Sequence, residues 1–550
     1  MVSISDFSSL FREYYNYYQK YKTIYGDKTV ILYQNGGFIE LYDYPSNESE
    51  YMCGDIYQLS NICSWSVTKK NKKEELSPKN VLMAGSPVHK LDKYCEILLN
   101  QDYHVIVVEQ ISAAPNPERA VTRILSPGTI INENNNSFID NYLMSVVIEQ
   151  NKFNYKQILS AGVSIINVST GKNSIATIQP NYDDISHTDN EIKRLIAYYN
   201  PKEILFHSEE IELTKENLIQ KYDIFHTNIF LNHFTEKKIF KNKVYQNELL
   251  QKIFHFESQN SPIVDLNLER REETLLAYIY MLEYIYEHKV SLINNIFLPE
   301  EIDDNKYLLL SSDAVRQINL CDNYNFHSGK NKDLISLLNK TVTSMGKRLF
   351  YHRMLYPIVD TEEIIKRYDI IDLLTNDNTY ELIRNNIRRL NDFEKSLRLM
   401  SLNMLSTNSF YSDFICYDFL IDTIRIIKED TRLFEKYKHY SGDFIKFQEY
   451  YEYNKNTFEF NNFSSYDGNI IQKSLFKRKI YSEIDDIEDN IKKNQYHYDL
   501  IIKELSKIID RKHKNNLIKF EYSDRFDWKL ICTKNRSQII QKYLKHKDII

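Results

Sequence analysis

Eight residues constrain the fold of this chain more than any others. Ile484, Ile487, Ile491, Asn494, Tyr498, Ile501, Leu505 and Ile508 follow one another at alternating spacings of three and four. Residues so spaced share one stripe of a helix. A stripe sustained for about three heptads predicts a long helix that packs along its length. Such a seam is a packing device and carries no chemistry of its own. Beyond it the run from Arg511 to Asn516 reads as a basic loop, and Phe526 to Thr533 as a strand.

Glycine and proline sharpen this reading. Only 12 Gly and 11 Pro interrupt 550 residues, which leaves few tight turns and favours long helices. From about residue 265 the pattern agrees: Thr274 to Tyr286 is strongly apolar. Two more helices, Leu334 to Leu355 and Thr361 to Leu374, are separated by Tyr356-Pro357. Upstream the texture is different. Short apolar runs at Val30–Tyr42, Val81–Gly85 and His104–Glu109 read as strands, and Asn-rich sequence at 132–137 marks a boundary. Ala161 to Ile178 reads as two strands turning at Gly171. Ile192, Leu195, Ile196 and Tyr199 then share a helix face, Asn200-Pro201 ends that helix, and Glu203–Phe206 resumes as a strand. The fold class expected is α/β in the first half and mostly α in the second.

Several chemistries are excluded by what the sequence lacks. A phosphate-cradling P-loop needs G-x-x-x-x-G-K-(S/T). The Gly-Lys pairs at 171, 329 and 346 are followed by Asn173, Asn331 and Arg348, and Ile166, Tyr324 and Thr341 stand where the first Gly belongs. No H-x-x-x-H or H-E-x-x-H zinc spacing occurs among the 14 His, and no G-x-S-x-G nucleophile elbow is present. His89 is expected to be a buried, hydrogen-bonded residue rather than a ligand. On these grounds the chain does not read as an enzyme. The six Cys form no CxxC pair and read as reduced thiols. Without a signal-like N-terminus or an apolar run of about 18 residues, the expectation is a soluble intracellular protein with no membrane partner. A formal net charge of −6 neither announces nor excludes nucleic acid, because binding depends on local basic patches.

The stretch VILYQNGGFIELY, residues 30–42, looks like a strand, a Gly-Gly break and a second strand. Side chains two apart point the same way. Ile39 and Leu41 would face the core, leaving Phe38 and Glu40 together on the face that meets solvent or a ligand. Taken alone, the pair also fits a core aromatic beside a surface carboxylate.

The surrounding blocks decide between these readings. Gly37-Phe-Ile-Glu-Leu-Tyr42 resembles the Phe-x-Glu mismatch-reading motif of the MutS family, G-x-F-(Y/F)-E-(L/M)-(Y/F). Ala84 to Tyr94 looks like that family's A-G-(V/I)-P-x-H segment, and Val107–Gln110 with Glu118–Thr129 like its C-E-Q and R-x-V-x-R blocks. Gly162 to Gly171 resembles its connector strands. Leu337–Leu349 resembles L-(D/N)-x-T-x-T-x-M-G-x-R-x-L, Arg389–Arg398 the D-(L/F)-E-(R/K) helix, and Leu530–Ser537 the clamp segment. The Asn/Lys/Tyr-rich style is similar to giant-virus or protist members.

The resemblance implies four domains: a mixed α/β mismatch-binding domain over 1–131, an α/β connector over 132–255, a long-helix core and lever domain over 256–440, and a helical and β clamp region over 441–550. It implies that Phe38 wedges at a mispair, that Glu40 accepts a hydrogen bond from the displaced base, and that Gly36 and Gly37 allow close backbone approach to DNA. Lys69, Lys70, Lys72 and Lys73, and near the clamp tip Arg511, Lys512, Lys514, Lys534 and Arg536, are candidates for the DNA backbone. The family's returning lever and ATPase domain have no counterpart in the motifs found here. ATP and Mg are therefore expected only where an ATPase is supplied elsewhere, and no cofactor or metal in this chain. The partners implied are double-stranded DNA with mismatches, a second copy or an ATPase-bearing chain, and other repair factors. Alternatives are a DNA-structure-binding scaffold, a subunit of an ATP-driven repair assembly, and an interaction protein with little DNA affinity.

Overall fold

A Tyr-rich helix organises the first domain. Helix α1 (Ser9–Tyr25) is capped by Ser8, whose hydroxyl accepts from the Phe11 N–H at 3.3 Å. Phe11, Tyr14, Tyr18, Tyr21 and Tyr25, three or four residues apart, are all buried. In this computed structural model the described residues are 4–45, 51–112, 117–129, 131, 141–153, 156–224, 227–234, 238–302, 306–321, 333–376, 379–465, 474–509, 517–523 and 527–546. They divide into two units, Met1–Tyr437 and Lys438–Ile550.

Helix α1 lies on one face of a six-stranded sheet. Its strands are β1 (Thr29–Asn35), β2 (Phe38–Asp43), β3 (Thr68–Lys69), β4 (Leu82–Pro87), β5 (His104–Gln110) and β6 (Arg119–Leu125), in the order β3-β4-β2-β1-β5-β6. β1 pairs antiparallel with β2 and parallel with β5. The strand period sorts the side chains: Ile31, Tyr33, Ile106 and Val108 join the core under α1. Val30, Leu32, Val105 and Val107 join a second core with α2 (Ile56–Cys63) and α3 (Leu91–Leu99). Each fully buried apolar side chain contributes about 1.5–3 kcal/mol, so the sheet is held from both faces.

A second six-stranded sheet follows, from β7 (Tyr142–Phe153), β8 (Lys156–Asn167), β9 (Lys172–Ile178), β10 (Glu203–His207), β11 (Asn228–Leu231) and β12 (Glu300–Glu301), in the order β11-β10-β7-β8-β9-β12. Helices His187–Tyr199 and Lys215–Tyr222 cover one face through Ile192, Leu195, Leu218 and Tyr222. The Glu272–His288 helix covers the other and is buried almost all round. The hairpin at Gly171, the helix and the strand at Glu203 stand where the sequence reading places them; β7 is an element that reading does not contain.

The two sheets meet at a buried carboxylate. Glu203 Oε1 lies 3.0 Å from His104 Nε2, while Ser126 and Tyr284 donate to Oε2 at 2.8 and 3.2 Å. Burial pushes the Glu203 carboxyl up, but the bond and charge of His104 outweigh it and hold it below the usual range. Tyr25 stacks on His104 with ring centres 4.9 Å apart.

The helical part corrects one expectation. Residues 334–355 do not form one helix but two, Leu334–Leu338 and Ser344–Leu355. The Asn339 side chain accepts from the Thr341 N–H (3.1 Å), and the Thr343 hydroxyl caps the next helix by accepting from Gly346 N–H (3.0 Å). These local bonds compete with continuation of the helix. The break brings two sequence motifs together. Arg348 forks onto Asp392 (2.6 and 2.7 Å), and also bonds Glu394 (3.2 Å), which accepts from Lys172 of the β8–β9 hairpin at 2.7 Å.

In the second unit the seam lies on the helix Ser482–Ile509. Strands β13 (Lys519–Ser523) and β14 (Asp527–Ile531) pair antiparallel, and the helix Lys534–His546 follows. Arg511, Lys512 and Lys514 lie outside the described residues. Among the described residues no helix is long and apolar enough to cross a membrane, and no group of three or more His, Cys, Asp or Glu is placed to hold a metal.

Candidate functional site

The hairpin β1–β2 builds the site. Gly36 sits at φ +59° in the two-residue turn, a conformation that favours glycine. A side chain at Gly36 or Gly37 would meet nothing within 4 Å, so the turn is an open tip. Phe38 follows it at 53% exposure.

Glu40 departs from expectation. It shares the strand face of Phe38, but it is only 8% exposed. Around it lie Asn35 of β1, Tyr42 and Gly85 of β4, its partner in the ladder. Along this face Tyr42 is 1% exposed and packs edge-to-face on Tyr14 and Tyr33, with ring centres 5.5 and 6.2 Å away. Glu40 sits where this aromatic core ends and Phe38 lies beyond it. The carboxylate is held by Asn35, whose Nδ2 donates to Oε2 at 3.0 Å, and by the Tyr42 hydroxyl, which also donates to Oε2. Ile39 and Leu41 face the opposite core, as the alternation predicts.

The tip is braced by residues that the sequence reading does not single out. Gln34 accepts from the Gln110 N–H at 2.9 Å and donates to the Gly36 carbonyl at 3.1 Å. Arg119 donates to the Gln34 carbonyl (3.0 Å) and lies over the Tyr33 ring at 4.9 Å. The Gln110 amide oxygen accepts from Gly36 N–H (3.2 Å) and from Arg119 (3.1 Å). On the other side Phe38 pairs with Pro87, and Val88 N–H donates to the Gly37 carbonyl at 3.0 Å. Gly85 makes this packing possible, since a Cβ there would come within 2.3 Å of the Ile39 carbonyl oxygen. The signal for these braces is strand register, which the separate motifs do not reveal.

The charged residues divide. Lys69 pairs with Leu82, which pairs with Asp43 at the opposite end of β2 from Phe38. Five residue steps of strand separate the two ends, about 17 Å. Lys70, Lys72 and Lys73 are exposed in a loop beyond β3, which runs parallel to β2 and away from the tip. That loop is tied by buried Asn80, which accepts from the Asn71 N–H (2.7 Å) and donates to the carbonyls of Asn71, Glu74 and Glu75. Nearer the tip are His89 and Lys90, in the short turn Val88–Lys90 that follows Pro87. Both are exposed. This overturns the expectation of a buried His89: the turn leads outward from the strand end before α3 begins. In the second unit Lys534 is exposed, whereas Arg536 donates to the Leu517 carbonyl at 3.0 Å and so holds the start of β13.

The sheet with its aromatic tip, the second α/β sheet and the long helices define the class of protein. Residues 13–134 match the family described as MutS domain I, and residues 313–524 match MutS domain III. Over 98% of its length the chain is 26% identical to a putative DNA mismatch repair protein, a mutS homolog, of Acanthamoeba polyphaga mimivirus, covering 51% of that protein. It is 29% identical over 310 residues to the DNA mismatch repair protein MutS of Caldanaerobacter subterraneus subsp. tengcongensis, which is 55% of this chain and 32% of that one. For the Bacteroides fragilis protein of the same name the identity is 23%, over 66% of this chain and 40% of the relative. The chain belongs to the MutS family, and it spans about half the length, or less, of these relatives.

Proposed function

We infer that the chain binds duplex DNA at mismatched or unpaired bases, and that the β1–β2 tip reads them. One observation carries this reading: an exposed Phe on a braced hairpin, with a carboxylate on the same strand face two residues on. An apolar wedge in the minor groove unstacks a base step at a cost of a few kcal/mol. A mispaired base has already lost part of its pairing and stacking, so deforming it costs less. Glu40 would accept a hydrogen bond from the displaced base and would be repelled by an ordinary duplex, which makes it a discrimination device. Gly36 and Gly37 would let the backbone approach the groove.

Residues 1–131 would form the mismatch-binding domain, 132–255 the connector, 256–440 the helical core and 441–550 the clamp region. Phosphate contacts near the wedge would come from Lys90, with Lys69, Lys70, Lys72 and Lys73 of the same domain reaching more distant backbone; Lys534 would be a phosphate contact of the clamp region. The 550 residues contain no G-x-x-x-x-G-K-(S/T) motif. Any ATP hydrolysis in the assembly would then be done by residues other than these, in a partner chain or a further segment. A scaffold for branched DNA is the second reading, favoured by the spread of lysines away from the tip.

The test is binding to a duplex with one mismatch or one unpaired base against the matched duplex, at fixed salt, for wild type and Phe38→Ala. Preference in wild type that disappears in the variant supports the reading. Equal binding to both duplexes by wild type would favour the scaffold.

A further inference from the structure

We propose that Asn35 and Tyr42 are positioning residues that clamp one oxygen of Glu40 and present the other to the displaced base, and so set the ratio of mismatched to matched binding. This rests on the reading of Phe38 and Glu40 given above.

The two donors converge on a single atom. Asn35 Nδ2 donates to Glu40 Oε2 at 3.0 Å and to the Tyr42 hydroxyl at 3.3 Å, and that hydroxyl in turn donates to Oε2. Among the described residues nothing donates to Oε1. A carboxylate has lone pairs on both oxygens, so the second oxygen remains an open acceptor whose position is fixed. Asn35 stands opposite Phe38 in the β1–β2 ladder, so the clamp and the wedge share one rigid frame. Tyr42 is itself locked by the aromatic core under α1. Burial and the neighbouring carboxylate raise the phenol far above its usual range, so it remains a donor at any physiological pH.

The clamp acts in two directions. A carboxylate free to rotate would swing from the phosphates of a matched duplex and lose its repulsion. It would also spend less time where a displaced base can donate to it. Fixing it preserves the repulsion and preorganises the acceptor. Removing the clamp therefore raises affinity for matched DNA and lowers affinity for mismatched DNA together. A hydrogen bond to a charged group is among the stronger ones, so the ratio falls about tenfold in Tyr42→Phe.

The experiment measures both duplexes with Tyr42→Phe and Asn35→Ala, each in the wild-type and in the Glu40→Ala background. Tyr42→Phe keeps the ring in its core, and Asn35 is half-buried at the strand end, so the second variant stands if the first misfolds. The proposal expects both variants to lower the ratio alone and to have no further effect on it once Glu40 is gone. It is overturned if either variant lowers the ratio equally in both backgrounds, which would be a structural effect. It is also overturned if Tyr42→Phe leaves the ratio unchanged, or tightens mismatched binding as a released brake would. Should Glu40→Ala itself leave the ratio intact, the reading of Glu40 fails and the proposal fails with it; loss in Glu40→Ala with none in Tyr42→Phe sinks the proposal alone.

Discussion

The α/β half and the long helices are held in different ways. In the first, alternate residues of each central strand enter separate cores, and the Glu272–His288 helix is buried almost all round. In the helix Ser482–Ile509 no residue is buried, and Ile487 and Ile491 of its seam are 59% and 44% exposed. The same 3–4 spacing that buries Tyr14, Tyr18 and Tyr21 in α1 leaves this seam only partly covered among the described residues, with Tyr498 stacked on Phe520 at 4.6 Å between ring centres. Periodicity states which face of a helix is apolar. What covers that face depends on elements brought in by tertiary structure. The β1–β2 tip belongs to the first kind of region: an exposed side chain on a densely packed frame.

The largest effect should come from the buried junction. Replacing Glu203 by Ala strips the carboxylate from His104, Ser126 and Tyr284 and should cost about 3–5 kcal/mol, read by chemical denaturation. Ile487→Ser on the open seam should change stability by no more than about 0.5 kcal/mol. Equal losses would erase the contrast.

Acid should open the same contrast more gently. Burial lowers His288 to about 4 and His207 to about 3, against about 6.5 in an unfolded chain. A depressed His is neutral in the folded state, so its contribution is present above pH about 6.5 and is lost as pH falls toward the folded value. Glu203, also depressed, loses its contribution in the same direction at still lower pH. Hydrogen exchange should show protection of β8 and β10 dropping between pH 6.5 and 4, by up to about 1.4 kcal/mol per pH unit for each His. The Ser482–Ile509 helix should change little. The reverse order would remove the two histidines as the cause.

The smallest effect separates phosphate contact from reading. Lys90→Ala should weaken mismatched and matched binding alike and lower the salt slope by about one. A change in preference would place Lys90 in recognition.

Much of this was legible in residues. Strand alternation places Ile39 and Leu41 in the core and Phe38 on the open face, and the Asn200-Pro201 stop and the Gly171 turn are local signals that tertiary structure does not override. Glu40 was not legible, because its burial depends on neighbours that strand pairing brings in, Asn35 of β1 and Gly85 of β4. The break at Asn339–Thr343 arises from side-chain capping that outweighs apolar spacing. The distance of Lys69 from the tip, and the nearness of Lys90, follow from strand register, which no stretch of sequence carries by itself.

The central claim is that Phe38 enters the stack at the mispair. A fluorescent base analogue, 2-aminopurine, placed beside a mismatch reports unstacking directly. Its emission should rise when the wild-type chain binds and should stay at the free-duplex level with bound Phe38→Ala. An equal rise with both proteins, or none with wild type at saturating binding, would contradict the account.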